Sequence, residues 1–167
     1  MSRKTIFEKI VSGGQTGADQ GALEAALELG HPCGGWCPKG RMSESGPIPK
    51  KYPVQELPSE RYDVRTEANV RDSDGTLIFT YGPATGGTAY TVEAAQKLGK
   101  PVFMIDLEFE PADIDCSQIR KWGRERGIAI LNVAGPRESK VPGTHILVKG
   151  ILAELLRCAG KSESGQE

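Results

Sequence analysis

Two short stretches place glycine beside hydroxyl side chains at the point where a strand pattern gives way to a helix pattern. The first is Gly13, Gly14, Gln15, Thr16 and Gly17, and the second runs from Gly82 to Thr88 with Thr85, Gly86, Gly87 and Thr88 at its end. Glycine allows close approach of main chain to a ligand, and a helix N-terminus offers unpaired N–H groups with a positive partial charge. The chemistry this suits is the holding of a phosphate or another anion. Thr16, Thr85 and Thr88 add hydroxyl donors, and Gln15 adds an amide. Neither stretch is a nucleotide fingerprint: the first lacks the Gly-Lys-Ser/Thr ending of a P-loop and has no G-x-G-x-x-G spacing.

Charged and polar candidates flank these loops. Lys39 and Arg41 follow the second strand, while Arg65 and Asn69 lie on a helix before the third. Arginine suits a bidentate grip on phosphate or carboxylate. Asp19 and Glu93 lie early in the two helices that leave the glycine loops, and an acid such as Asp19 there complements the helix dipole. The histidines, His31 and His145, stand in no H-E-x-x-H or G-x-S-x-G context. Cys33 and Cys37, beside His31, lack the second ligand pair of a zinc site, so no dedicated metal site is expected. Trp36 and Trp122 could stack on a flat ring or fill a core.

The elements that must position these residues alternate. Strands are predicted at residues 6–11, 33–37, 76–80, 101–106 and 128–133. Helices are predicted between the first glycine loop and Gly30, at 61–71, from the second glycine loop to Gly99, at 114–126, and at 144–158. This alternation specifies an α/β fold, a Rossmann-like doubly wound parallel sheet with helices on both faces. The simplest strand order is 2-1-3-4-5, which sets the first strand beside the third and brings both glycine loops to the switch point where ligands bind. Residues 38–60, holding five prolines, form a long irregular stretch, either a lid or an inserted surface loop. Residues 1–160 form one domain and the polar residues 161–167 a disordered tail.

Composition sets outer bounds. The 167 residues include 21 glycines and 11 prolines, but no third-position glycine period runs through them, which excludes collagen, and 38% hydrophobic residues with a net charge of −1 argue against wholesale disorder. Balanced charge gives no field for nucleic acid, and no apolar run approaches the roughly 18 to 20 residues that span a bilayer. With no signal-peptide core after Met1, a cytoplasmic location is expected.

Residues 10–25 (IVSGGQTGADQGALEA), 35–46 (GWCPKGRMSESG) and 62–92 (YDVRTEANVRDSDGTLIFTYGPATGGTAYTV) together resemble the molybdenum-cofactor carrier family. That family is similar to a wider Rossmann-like superfamily, which includes the lysine-decarboxylase-like phosphoribohydrolases and the DNA-processing protein fold. The resemblance implies a phosphorylated pterin or nucleotide-like ligand, molybdenum cofactor as cargo, and a homo-oligomer, either dimer or tetramer. It implies phosphate binding by Gly13, Gly14, Gln15, Thr16, Gly17, Thr85, Gly86, Gly87 and Thr88, with Lys39, Arg41, Arg65 and Asn69 around them.

The phosphoribohydrolases carry an arginine-lysine pair before a P-G-G-x-G-T-x-x-E loop. Here Arg65 matches the arginine, Thr66 replaces the lysine, and the glutamate position falls on Thr91, with Glu93 two residues later. Two functions therefore stand side by side. One is a carrier or binding protein, or a nucleotide-sensing module. The other is an N-glycosidic hydrolase of a nucleoside 5′-monophosphate that uses Arg65 and Glu93 as its catalytic pair.

Overall fold

The computed structural model describes residues 6–109 and 114–164, with 158–164 as main chain only. In chain order the elements are β1 (Lys9–Val11), α1 (Ala18–Glu28), β2 (Cys33–Gly34), β3 (Trp36–Cys37), β4 (Met42–Ser43), β5 (Gly46–Pro47) and β6 (Gln55–Glu56). Then follow α2 (Tyr62–Arg71), β7 (Gly75–Thr80), α3 (Gly86–Leu98), β8 (Val102–Asp106), α4 (Cys116–Arg126), β9 (Ile130–Ala134) and α5 (Thr144–Ser164). Residues 165–167 of the expected tail lie outside the described residues.

The main sheet is parallel, as the alternation of elements predicts, but its order is β2-β1-β9-β7-β8. Counted as the sequence predicts them, that is 2-1-5-3-4, not 2-1-3-4-5. The last strand inserts between the first and the third, pairing Val11 with Asn132 on one side and Leu77 with Val133 on the other. The physical reason lies in burial. Leu131, Asn132 and Val133 of β9 are all buried, as a central strand requires, whereas Met104 of β8 is 46% exposed and suits an edge.

Helices cover both faces. Ile10, Leu77, Phe79, Leu131 and Val133 meet small residues of α1 and the apolar stripe of α5, including Val148, Leu152 and Leu155. On the other face, Val70 of α2 packs with Ala94 and Ala95 of α3 and with Val102. Asp115 caps α4 by accepting from the Ser117 N–H at 3.0 Å, and Gly127 closes that helix in the left-handed conformation.

The proline-rich stretch is an ordered insertion. Ile48, Tyr52 and Val54 bury against Leu23 and Cys37 in a small satellite core. Arg41 sits inside it, donating to the carbonyls of Val54 (2.8 Å), Pro49 (2.9 Å) and Tyr52 (3.0 Å), with Ile48 more loosely held. Five donors in a fixed fork suit a cluster of converging carbonyls as well as they suit a phosphate.

Candidate functional site

At the carboxyl ends of β1, β9 and β7 lies a cavity of about 220 Å³, walled by the two glycine loops, by α2 and by the loop that leaves β9. The two glycine loops behave differently there. The β1–α1 loop is closed by its neighbours. Arg65 of α2 lies across it, with Nη1 donating to the Gly13 carbonyl at 3.1 Å; a Cβ on Gly13 would fall 2.3 Å from that nitrogen. Gly17 has φ +79°, and a Cβ there would meet the Pro136 carbonyl oxygen at 2.4 Å, so both handedness and space demand glycine. The N–H of Ala18 donates to that same oxygen, the Thr16 N–H to Gln15 Oε1, and the Gln15 N–H to Asp19 Oδ2.

Asp19 is buried below this loop, with Arg65 Nη1 3.6 Å from its carboxylate. Burial pushes its pKa up, and Arg65 and the Gln15 N–H pull in the opposite direction. The dipole-complementing role expected for an acid in the first turn of α1 is thus joined by an ion pair.

The β7–α3 loop is open. Gly86 and Gly87 are exposed, and a Cβ on either would meet nothing within 4 Å. Thr85 precedes α3 without capping it through its side chain; its hydroxyl oxygen instead accepts from Lys140 Nζ. Residues 85–88 at this end of α3 line the cavity; the Thr88 and Ala89 N–H groups donate to the Thr85 carbonyl, and no side chain caps the helix. Arg137 also lines the cavity, with its guanidinium carbon 5.8 Å from the Tyr62 ring centroid and its Nε 4.0 Å from Glu44 Oε1.

Of the residues expected at the site, Gly13, Gln15, Arg65, Asn69, Thr85, Gly86, Gly87 and Thr88 line the cavity. Asn69 does so with its amide committed, since Oδ1 accepts from the Trp36 N–H at 2.8 Å and Nδ2 donates to the Trp36 carbonyl at 2.9 Å. Gly14, Thr16, Gly17, Lys39, Arg41 and Glu93 lie elsewhere. A side chain on Gly14 would point at Ile48, and Thr16 bonds Glu44 and the Glu138 N–H. Lys39 and Glu93 are exposed away from the cavity. None of residues 38–58 lines it either, so the proline-rich stretch is a buttress beside the site, not a cover over it.

Sequence reasoning missed Asn132, Gly135, Pro136, Arg137 and Lys140, which enter because β9 is central. The available signal was the Gly-Pro-Arg turn directly after an apolar strand. Thr66 and Thr91, the two positions where this chain departs from the phosphoribohydrolases, also lie in the wall. Thr91 is buried, and its hydroxyl donates to the Gly87 carbonyl at 2.9 Å.

The tryptophans lie apart from the cavity. Trp36 donates from Nε1 to Asp72 and borders a separate groove of about 380 Å³ on the sheet face, while Trp122 packs on Phe103 with centroids 5.5 Å apart. Cys33, Cys37 and Cys116 are free thiols, and among the described residues no group of three His, Cys, Asp or Glu side chains is arranged to hold a metal ion. Among those residues, too, no helix is long and apolar enough to cross a membrane.

Comparisons with known proteins agree with this architecture. A family model described as the circularly permutated YpsA SLOG family matches residues 10–156. A crystal structure of a protein of Syntrophus aciditrophicus SB, described as "putative molybdenum carrier protein", is similar over 92% of this chain and 97% of that one, with 43% sequence identity and a TM-score of 0.85. No curated protein matches.

Proposed function

The chain belongs to the circularly permutated YpsA SLOG family, and from that premise we propose that it is a carrier that binds molybdenum cofactor or a closely related phosphorylated pterin. The observation that carries the reading is the open end of the cavity. The side-chain-uncapped start of α3 and Lys140, which reaches Thr85, line it together with Arg137, and no side chain at 86 or 87 fills the space. A helix N-terminus with a lysine beside it and an arginine in the same cavity wall suits an anion by both dipole and hydrogen-bond chemistry. The 43% identical carrier-named neighbour supports molybdenum as part of the cargo. In this reading the metal arrives with the cargo, so no protein ligands are needed for it.

The hydrolase reading requires a carboxylate free to act near the sugar. Glu93 is exposed outside the cavity, Thr91 occupies the position the phosphoribohydrolases give to glutamate, and Asp19 is engaged by Arg65 and the Gln15 N–H. Binding without turnover is what those three facts favour.

One preparation of the protein tests both readings. Incubation with AMP and CMP is expected to release no free base. In parallel, the protein is expected to slow oxidation of added molybdenum cofactor. Base release at a catalytic rate, or cofactor oxidised as fast with the protein as without it, would overturn the proposal.

A further inference from the structure

Two guanidiniums in the cavity wall share one aromatic ring. Tyr62 opens α2, and Arg65 follows one turn later on the same side of that helix, its guanidinium carbon 5.5 Å from the Tyr62 ring centroid. Arg137 comes from the loop after β9 and reaches the same ring at 5.8 Å. Both arginines line the cavity, whereas Tyr62 itself does not. An aromatic ring attracts a cation that lies within about 6 Å of its centroid, and both arginines meet that condition.

The two side chains are otherwise held very differently. Arg65 is mostly buried, and its Nη1 is engaged by the Gly13 carbonyl and, at 3.6 Å, by Asp19. Among the described residues no hydrogen bond takes its Nε or Nη2. Arg137 has a fixed root and a free head. Its carbonyl accepts from the Lys140 N–H at 3.1 Å and the Val141 N–H at 3.3 Å, which locks the turn. Its side chain is 43% exposed, makes no hydrogen bond among the described residues, and stands 4.0 Å from Glu44. The Glu44 carboxylate is already taken by Thr16 and Ser139. The Tyr62 ring is therefore what gives this long side chain a preferred place beside Arg65. A cation held in place beforehand has less freedom to lose when an anion binds. Asp19 is the one acid among the described residues of the wall, against Arg65, Arg137 and Lys140, so the gathered cations are left short of negative charge.

We propose that Tyr62 is a positioning residue of the anion site: its ring carries Arg65 and Arg137 together so that both guanidiniums address one phosphate group in the cavity. The inference rests on the anion reading above and deepens it by naming the pair that grips the phosphate. A terminal phosphate has three oxygens to divide between two arginine forks. Because the ring acts through the arginines, it governs affinity for phosphate itself and not only for an organic part attached to it. Losing the ring's hold on the two cations changes that affinity by roughly 3- to 10-fold.

The test measures dissociation constants for inorganic phosphate and a pterin phosphate monoester by calorimetry at fixed ionic strength. The variants are Tyr62→Leu, Tyr62→Phe, Arg137→Ala, Tyr62→Leu combined with Arg137→Ala, and Lys140→Ala. Tyr62→Leu keeps an apolar body and removes the aromatic face, whereas Tyr62→Phe keeps the face and removes only the hydroxyl. Tyr62→Leu is expected to weaken both ligands roughly 3- to 10-fold, and Tyr62→Phe to bind within about twofold of wild type. In the Arg137→Ala background the loss from Tyr62→Leu is expected to be smaller, since one of the two cations it serves is gone. A loss confined to the ester overturns the inference, because the ring would then be touching the organic part. Wild-type affinity in Tyr62→Leu, an equal loss in Tyr62→Phe, or a loss undiminished by Arg137→Ala overturns it as well. In each of these cases Lys140→Ala still weakens both ligands; affinities unmoved by Lys140→Ala overturn the anion reading instead. Should Tyr62→Leu fail to fold, the Arg137 δ-proton resonances of the wild type decide. The ring is expected to shift them upfield of ordinary arginine positions, and added phosphate to move them. Ordinary positions, or no change with phosphate, refute the proposal.

Discussion

The two glycine-rich loops look alike in sequence and do opposite work. In the β1–α1 loop, glycine makes room for protein: Arg65 lies over Gly13, the Pro136 carbonyl abuts Gly17, and the loop residues are buried apart from the half-buried Thr16. In the β7–α3 loop, Gly86 and Gly87 face open space at the start of a helix whose N–H groups no side chain caps. Close packing excludes a side chain at Gly13 and Gly17, whereas at Gly86 and Gly87 the space a Cβ would take is empty, and only the φ of +54° at Gly86 calls for glycine. What separates them is what lies above: α2, the β9–α5 loop and the proline-rich segment press on the first, whereas the β9–α5 loop reaches the second through the Lys140 ammonium at the Thr85 hydroxyl and leaves Gly86 and Gly87 clear.

The largest expected effect comes from disturbing the closed loop. Gly17→Ala introduces a Cβ 2.4 Å from the Pro136 oxygen at a φ of +79°. Strain and overpacking together cost about 3 kcal/mol or more, lowering the melting temperature by roughly 6–12 °C. The matching change in the open loop, Gly87→Val, places its Cβ with no atom within 4 Å and is expected to leave the melting temperature within a few degrees. It should weaken phosphate-ester binding about tenfold or more by filling the space above the α3 N-terminus. Thermal melts and calorimetry on both variants check the pair. Equal stability losses would break the contrast.

The cations divide in the same way. Arg41→Ala strips the donors from the carbonyls of Val54, Pro49 and Tyr52 and should cost about 2 kcal/mol of stability by chemical denaturation with no change in ligand affinity. Lys140→Ala should leave stability within about 0.5 kcal/mol and weaken phosphate-ester binding about tenfold. If Arg41→Ala lost binding at unchanged stability, Arg41 would belong to the site after all.

The elements were largely legible in the sequence, whereas their order across the sheet was not. Alternation and apolar runs such as residues 76–80 mark strands, because a strand covered on both faces must be apolar throughout. Nothing local tells β9 that it lies between β1 and β7. That depends on Leu131 and Val133 meeting the α1–α5 face while Asn132 forms part of the cavity wall, which is a property of the assembled sheet. With the order misplaced, Arg137 and Lys140 sat outside any expected site, although their loop enters the crevice. Arg41 shows a second limit. A guanidinium next to a glycine-rich motif reads as a phosphate ligand until the fold shows several carbonyls closing around it.

The smallest effect concerns the outer fastening of the frame. Glu24 of α1 accepts from Lys51 Nζ at 2.6 Å and the Tyr52 hydroxyl at 2.8 Å, and His145 and Lys149 of α5 each approach it to 3.8 Å. The Lys51 hydrogen bond leads in lowering its pKa to about 2, with Tyr52 and His145 assisting against burial. A depressed carboxylate pKa contributes stability that is fully present above about pH 4.5 and is lost as pH falls toward 2. Lys51 is largely exposed, so solvent screening limits the contribution to about 1 kcal/mol. Asp19 works in the reverse sense, because its raised pKa favours the protonated fold at low pH; it is present in both proteins and cancels in the difference. Wild type is therefore expected to lose about 1 kcal/mol more than Glu24→Gln between pH 5 and pH 2.5 in urea denaturation. Phosphate-ester affinity at pH 7 should be the same for the two, since this cluster anchors the buttress and not the open loop. A Glu24→Gln variant with weakened ligand binding would show that the closed and open halves are mechanically coupled.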